Sequence, residues 1–145
     1  MAEIVSVMAM AHAPGVTGWL DSAPEEEKTK IIAGYEEMGR ILRATKPDVL
    51  VGVANDHMLN LPLRDPPDFC VGTAANWNGP AEFFKSWLAQ DGYEVAGRPD
   101  VAECLAQAGQ SAGLKLDSRD DLLFDDNWSV PLLYLTPDYS IPLVP

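Results

Sequence analysis

The sequence predicts an α/β fold in which a mostly parallel or mixed central sheet is flanked by helices. Two short apolar runs, Ile4–Ala11 and Asp48–Ala54, have the length and composition of buried strands. Between them, apolar residues recur at helical spacing from Ile31 to Leu42. A strand, a helix and a second strand in this order form a right-handed crossover, which makes the two strands parallel.

The helix between the two strands has recognisable ends. Ser22 is a candidate N-cap, and Pro24 with the three glutamates that follow suits a first helical turn. Pro47 disfavours helical geometry in the residue before it, so we expect the helix to end near Thr45. The first strand stops earlier, at the Pro-Gly turn signal of His12–Gly15.

The rest of the chain continues the α/β order. After a proline-rich loop we expect a strand over Asp68–Thr73, a helix opened by Asn78-Gly79-Pro80 and running to about Gln90, a helix over Val101–Ala112 capped by Asp100, and strands over Val130–Leu135 and Ile141–Val144. Prolines in the last two strands favour sheet edges or strand starts. Because the chain stops directly after an apolar strand, we expect the N-terminal part of a larger fold or the partner of another chain. A genuine C-terminal edge strand is the alternative.

The composition fits a single domain over residues 1–145 and excludes several classes of function. Hydrophobic residues make up 47% of the chain, which argues against a disordered acidic tail. A net charge of −12 argues against nucleic-acid binding, since phosphate contacts need clustered Lys and Arg. The sequence shows no apolar run of membrane-spanning length and no basic signal-peptide start, and Cys70 and Cys104 do not resemble a disulfide framework. These features predict a cytoplasmic protein in which Cys70 is an inert buried thiol.

The chain has only two histidines, and each follows one of the first two predicted strands. His12 comes directly after the first strand and His57 lies three residues beyond the second. Ligands of open α/β sheets bind outside the carboxyl ends of strands, so parallel neighbouring strands would bring both imidazoles to one edge. Imidazole suits Fe, Zn, Cu and Ni, and non-haem Fe(II) oxygenases use two histidines and one carboxylate. Two separate, hydrogen-bonded structural histidines are the alternative.

Five segments have a recognisable sequence: Ile4–Gly15 (IVSVMAMAHAPG), Lys46–His57 (KPDVLVGVANDH), Phe69–Thr73 (FCVGT), Gly79–Glu82 (GPAE) and Val130–Leu135 (VPLLYL). Together they resemble class III extradiol ring-cleavage dioxygenases. Their order is that of the catalytic (beta) subunit of the protocatechuate 4,5-dioxygenase and gallate dioxygenase type. The similarity runs through nearly the whole sequence and corresponds to the N-terminal half of such a catalytic chain.

The resemblance implies a metal site and an activity. His12 and His57 match the family's two iron ligands, which implies Fe(II) as the cofactor. The implied partners are a catecholic substrate, bound to iron through its two hydroxyl oxygens, and O2. The ring is then cleaved next to the diol, and a nearby base helps to remove a phenolic proton.

The sequence departs from the family pattern at two points. The family's third ligand is a glutamate in its C-terminal half, and Glu82 and the other glutamates here lie in different contexts. The family's acid–base histidine corresponds to Asp126, whose unperturbed pKa is about 3.9 against about 6.5 for histidine. Asp126 is therefore the candidate catalytic residue. The alternative function is a catalytically impaired relative or fragment that acts as an assembly partner or weak metal binder. In either case we expect a homo- or hetero-oligomer.

Other side chains are weaker candidates. Asp56 could hydrogen-bond an imidazole or ligate the metal itself. The pairs Asp120–Asp121 and Asp125–Asp126 suggest a hard-cation site, although solvated loop charges are the expected interpretation in so acidic a chain. Trp77 and Trp128 are candidates for an aromatic substrate pocket, with ordinary packing as the alternative.

Overall fold

The computed structural model describes residues 2–145 and shows a mixed α/β fold, which confirms the predicted class. The helices are α1 (Gly15–Gly18), α2 (Glu25–Ala44), α3 (Lys85–Leu88), α4 (Pro99–Ser111) and α5 (Asp126–Leu135), with 3₁₀ turns at Leu20–Ser22 and Glu82–Phe84. The strands are β1 (Leu50–Val51), β2 (Phe69–Gly72), β3 (Asn76–Gly79), β4 (Tyr93–Ala96), β5 (Leu116–Arg119) and β6 (Leu143–Val144). Across residues 2–145, no helix has the combination of length and hydropathy that a bilayer crossing demands.

The strands pair as three short ladders. β1 pairs with β6 and β2 with β5, both parallel, whereas β3 and β4 are antiparallel. β6 links the ladders, because Leu143 forms a bridge with Gly97 and the Pro145 carbonyl accepts a 2.8 Å hydrogen bond from Gly72 N–H. The C-terminal strand is therefore buried between neighbours. Of the two positions that its proline predicts, the strand start is confirmed, because Pro142 directly precedes β6, and the edge position is wrong.

The core surrounds α5. On one side of this helix, Trp77 stacks on Phe124 with ring centroids 5.5 Å apart, next to Leu132 and Leu143. On the other side, Val130 packs with Val16 and Leu88. The C-terminal end of α5 is held by α2, because the Arg43 guanidinium donates hydrogen bonds to the carbonyls of Tyr134 (3.0 Å) and Leu135 (2.9 Å). These contacts fix the helix on which the candidate site is built.

Two predicted strands are wrong. Val130–Leu135 belongs to α5, because Asp125 caps the helix start: its side chain accepts a 3.0 Å hydrogen bond from Asn127 N–H. Short apolar runs do not distinguish a strand from a buried helix by periodicity. Ile4–Ala11 has no regular secondary structure and lies outside the β-ladders of the described residues, and Ile4 and Val7 are more than four-fifths exposed. A strand forms only where a neighbour supplies ladder hydrogen bonds, and here none is in place.

Other boundaries are partly right. α2 ends where Pro47 predicts, and the strand expected over Asp68–Thr73 is present as β2. The second strand shrinks to Leu50–Val51. The helix predicted to open at Asn78 begins only at the Glu82 turn, because Asn76–Gly79 pairs with β4. β3, β4 and β5 are short and contain polar residues, so their hydrophobic pattern does not predict strands.

Candidate metal centre

The loop that carries His57 is fixed by its own polar side chains. The Asp56 carboxylate accepts hydrogen bonds from the backbone N–H groups of Asn60 (3.0 Å) and Leu61 (3.1 Å). Asn60 in turn exchanges two hydrogen bonds with the Leu123 backbone, accepting its N–H at 2.7 Å and donating to its carbonyl at 3.1 Å. Asp56 therefore closes the turn, and Asn60 attaches the loop to the segment that precedes α5.

The start of α5 places two adjacent carboxylates inside the protein. Asp125 has extended backbone geometry and is 2% exposed, whereas Asp126 is the first helical residue and is 6% exposed. The break in backbone conformation between an N-cap and its helix allows consecutive side chains to reach the same site. The expectation that this pair consists of solvated loop charges is wrong. Asp120 and Asp121 are exposed, as expected of loop charges.

Both histidines contact these carboxylates. His57 Nδ1 lies 2.9 Å from Asp125 Oδ2 and 3.4 Å from Asp126 Oδ1. His12 Nδ1 lies 3.3 Å from Asp126 Oδ2, and the two imidazole centroids are 5.1 Å apart. Donor atoms of His57, Asp125 and Asp126 all lie within 4.8 Å of one another, while His12 adjoins this group through Asp126. About one third of each imidazole remains exposed, so the site is open to ligands.

The charges in this cluster favour a cation. The pKa of the Asp125 carboxyl is raised, chiefly by burial. The hydrogen bond from Asn127 N–H lowers this pKa, the negative charge of Asp126 raises it, and His57 lowers it. Two buried carboxylates are tolerated only if positive charge compensates them. A protonated imidazole or a divalent metal ion can provide that charge. Imidazole and carboxylate donors together are the ligands of mononuclear non-haem metal sites, so the residues present fit such an ion.

An open groove of about 890 Å³ begins at His57. The half-buried Trp128 forms part of its wall and packs against Gly52, where an added Cβ would approach the indole to 2.4 Å. Much of the remaining wall is aliphatic: Val51, Val53, Val71, Leu105, Leu114, Leu116, Leu122 and Val144. The groove therefore combines an apolar surface with the His57 imidazole at one end, and Asp125 and Asp126 contact that imidazole.

The other candidates take different places. Trp77 is 2% exposed and belongs to the core, so packing is its role in this structure. Cys70 lines the groove, and its pKa is raised to about 11, chiefly by burial, so the thiol is protonated at neutral pH. Both cysteines are free. Glu82 pairs with Lys85 on the surface, away from the histidines.

Two residues of this centre carry only weak signals in the sequence. Asp125 belongs to an acidic pair for which the sequence favours solvated charges over a cation site, although an Asp directly before an apolar helical run is also an N-cap signal. Asn60 lies in the predicted proline-rich loop, and nothing in the sequence marks its contact with Leu123, 63 residues away.

Comparison with known proteins identifies a family. The family described as "Catalytic LigB subunit of aromatic ring-opening dioxygenase" matches residues 6–145, which is nearly the whole chain. Both histidines and both carboxylates lie within the matched range. No curated protein matches the chain.

Proposed function

Since the chain belongs to the family of the catalytic LigB subunit of aromatic ring-opening dioxygenases, we propose that it is a non-haem Fe(II) protein of the extradiol type. Its substrate would be a dihydroxylated aromatic compound similar to protocatechuate or gallate, cleaved next to the diol by O2. Dioxygenases of this family depend on a metal; iron, the position of cleavage and the substrate type belong to the proposal.

The observation that carries this proposal is the contact of both histidines with two buried carboxylates, beside an apolar groove that His57 lines. His12 and His57 would hold the metal. When bound, the metal would supply Lewis acidity and open positions for the two hydroxyl oxygens of the diol. A hydrogen-bonded pair of structural histidines explains the contacts but not the groove that begins beside them.

The residues around the metal would orient the substrate and move its proton. Trp128 and the aliphatic wall offer a surface for the aromatic ring and exclude water from one face of it. Asp126 lies against both imidazoles, where a carboxylate can accept the proton of a bound hydroxyl group. A carboxylate is a weaker base than the histidine that the family uses there, so we expect low turnover.

Oxygen consumption tests this proposal. We expect slow, Fe(II)-dependent uptake of O2 with protocatechuate, gallate or catechol, and no uptake after His57→Ala or His12→Ala. Asp126→His should raise turnover at pH 7 to 8, by as much as the roughly hundred- to ten-thousand-fold that a positioned general base contributes. Asp120→His, at an exposed acidic position of the same segment, is the matched control and should leave turnover unchanged. Equal rates in the parent and Asp126→His on every substrate would remove Asp126 from the mechanism.

The same measurements address the alternative function. An impaired relative that only binds metal would take up Fe(II) in a His57-dependent way and consume no O2.

Association with a second chain also belongs to the proposal, supported by the exposed Ile4, Val7 and Val53 side chains. Sedimentation of a monomer at micromolar concentration would contradict it. A cytoplasmic location stays a prediction.

A further inference from the structure

We propose that Asp125 is the carboxylate ligand of this metal, so that the chain supplies an anionic ligand next to His57 from the N-cap of its own helix α5. This inference rests on the proposed metal function. It differs from what the resemblance implies, which is a glutamate from a C-terminal half. The separate role of Asp126 in accepting a proton is unaffected.

Distances support Asp125 as the ligand. Imidazole and carboxylate donors stand roughly 2.0–2.2 Å from a small divalent ion, so two such donors at a right angle are about 3 Å apart. The separation between His57 Nδ1 and Asp125 Oδ2 is 2.9 Å, whereas Asp126 Oδ1 is 3.4 Å from the same nitrogen. The Asp125 oxygen therefore already stands at the spacing of adjacent ligands.

The Asp125 carboxylate is also held in place by the backbone. Its Oδ1 accepts the Asn127 N–H, which leaves Oδ2 directed to His57. The side chain is almost fully buried, so its orientation costs little further entropy when an ion binds. The N-terminus of a helix repels cations, and a carboxylate at the N-cap offsets that repulsion where the ion would lie.

A purely positioning role for Asp125 makes a different prediction. In that case its carboxylate would accept the His57 Nδ1–H and orient the ring, and the metal would bind elsewhere on the imidazole. Replacement of such an outer partner typically costs about 10- to 100-fold in metal affinity. Loss of a direct anionic ligand should cost more, and should change the spectrum of the bound metal.

Anaerobic Fe(II) titration gives the first test. We expect Asp125→Asn, which keeps an oxygen for the helix cap, to lose more than the roughly 100-fold that an outer partner accounts for. Asp138→Asn is the matched control, because Asp138 also caps a turn through backbone and side-chain contacts but lies outside the cluster. A loss of 100-fold or less in Asp125→Asn would overturn the assignment. Absence of binding by the parent chain would overturn the proposed metal function and this inference together.

A sulfur substitution gives the second test. In a Cys70→Ser, Cys104→Ser background, Asp125→Cys should show a thiolate-to-metal charge-transfer band when Co(II) is added. Asp120→Cys, at an exposed position, should not show it. Circular dichroism checks that Asp125→Cys folds, since loss of the cap costs about 1 kcal/mol. A folded Asp125→Cys that binds Co(II) without the band would overturn direct ligation; if this variant does not fold, the Asp125→Asn titration decides.

Discussion

The two segments that carry the histidines are similar in sequence and different in structure. The Ile4–His12 segment is apolar, yet it lies outside the ladders, and the Tyr35 hydroxyl donates a 2.9 Å hydrogen bond to its Ala11 carbonyl. The Asp48–His57 segment pairs with β6 and continues into a loop closed by Asp56. One histidine is therefore presented by a segment with little support, and the other by a segment fixed on several sides.

This difference assigns unequal roles to the two imidazoles. His57 contacts both Asp125 and Asp126, whereas the described contact of His12 with the carboxylates is to Asp126 alone. A preorganised donor contributes more to affinity than one that must be ordered when the ligand binds. We therefore expect His57 to contribute more to metal affinity than His12, and the His57 segment to contribute more to stability than the His12 segment.

The largest expected effect is on metal binding. His57→Ala should lower Fe(II) affinity by more than about 100-fold, beyond the range of an outer-partner change. His12→Ala should lower it less, because His12 contacts Asp126 alone and its segment lies outside the β-ladders. Anaerobic calorimetric titration of the two variants measures the ranking directly. An equal or larger loss in His12→Ala would contradict it.

The next effect concerns packing behind the second segment. Gly52→Ala should destabilise the fold by about 1–3 kcal/mol, because the new Cβ would overlap the Trp128 ring. Val7→Ala, in the first segment, should change stability by less than about 0.5 kcal/mol, since Val7 is 85% exposed. Urea denaturation of both variants gives the comparison. Similar losses would show that the first segment is packed in solution.

A smaller effect concerns the attachment of the His57 loop. Asn60→Ala should cost about 1–2 kcal/mol, because it removes the two hydrogen bonds with the Leu123 backbone. The melting temperature and the Fe(II) affinity should fall together. Asn76→Ala, at an exposed position of β3, serves as the control. A stability loss without any change in metal affinity would separate the loop from the site.

The smallest effect concerns the first segment. Tyr35→Phe should cost about 0.5–1 kcal/mol, because it removes the hydrogen bond to Ala11 and keeps the ring against Tyr134. Limited proteolysis should cleave residues 2–12 faster in this variant. Tyr134→Phe removes a phenol from the same aromatic pair and should leave the cleavage rate unchanged. Unchanged cleavage in Tyr35→Phe would show that other contacts retain the segment.

Local signals in the sequence predicted the parts of the fold that depend on local geometry. Pro47 fixed the expected end of α2, and the helical spacing of apolar residues located α4 to within two residues. The predicted N-caps are wrong, because Pro24 and Arg98, not Ser22 and Asp100, precede the two helices. The same local signals failed for Val130–Leu135, because its apolar composition predicted a strand although the cap at Asp125 starts a helix there. They also failed for Ile4–Ala11, because a strand requires a partner that composition does not reveal.

The candidate site was predictable only in part, for a related reason. Two histidines at the ends of apolar runs indicated a shared edge, and the structure places the rings 5.1 Å apart. Burial of Asp125 and Asp126 was not predictable, because it depends on Asn60 and on packing around Phe124, which are distant in sequence. The charge of Asp125 and Asp126 predicted solvated side chains, whereas their location at the start of α5 buries them.

The attachment of α5 at both ends has a consequence for motion. Arg43 holds the carbonyls of its last turn, and the Asp125–His57 contact holds its first residues, roughly 15 Å away along the axis. If a helix attached at both ends opens as one unit, amides near Tyr134 exchange with solvent when the whole helix detaches. An ion bound at the first turn would therefore slow hydrogen exchange at the opposite end, although nothing there contacts it.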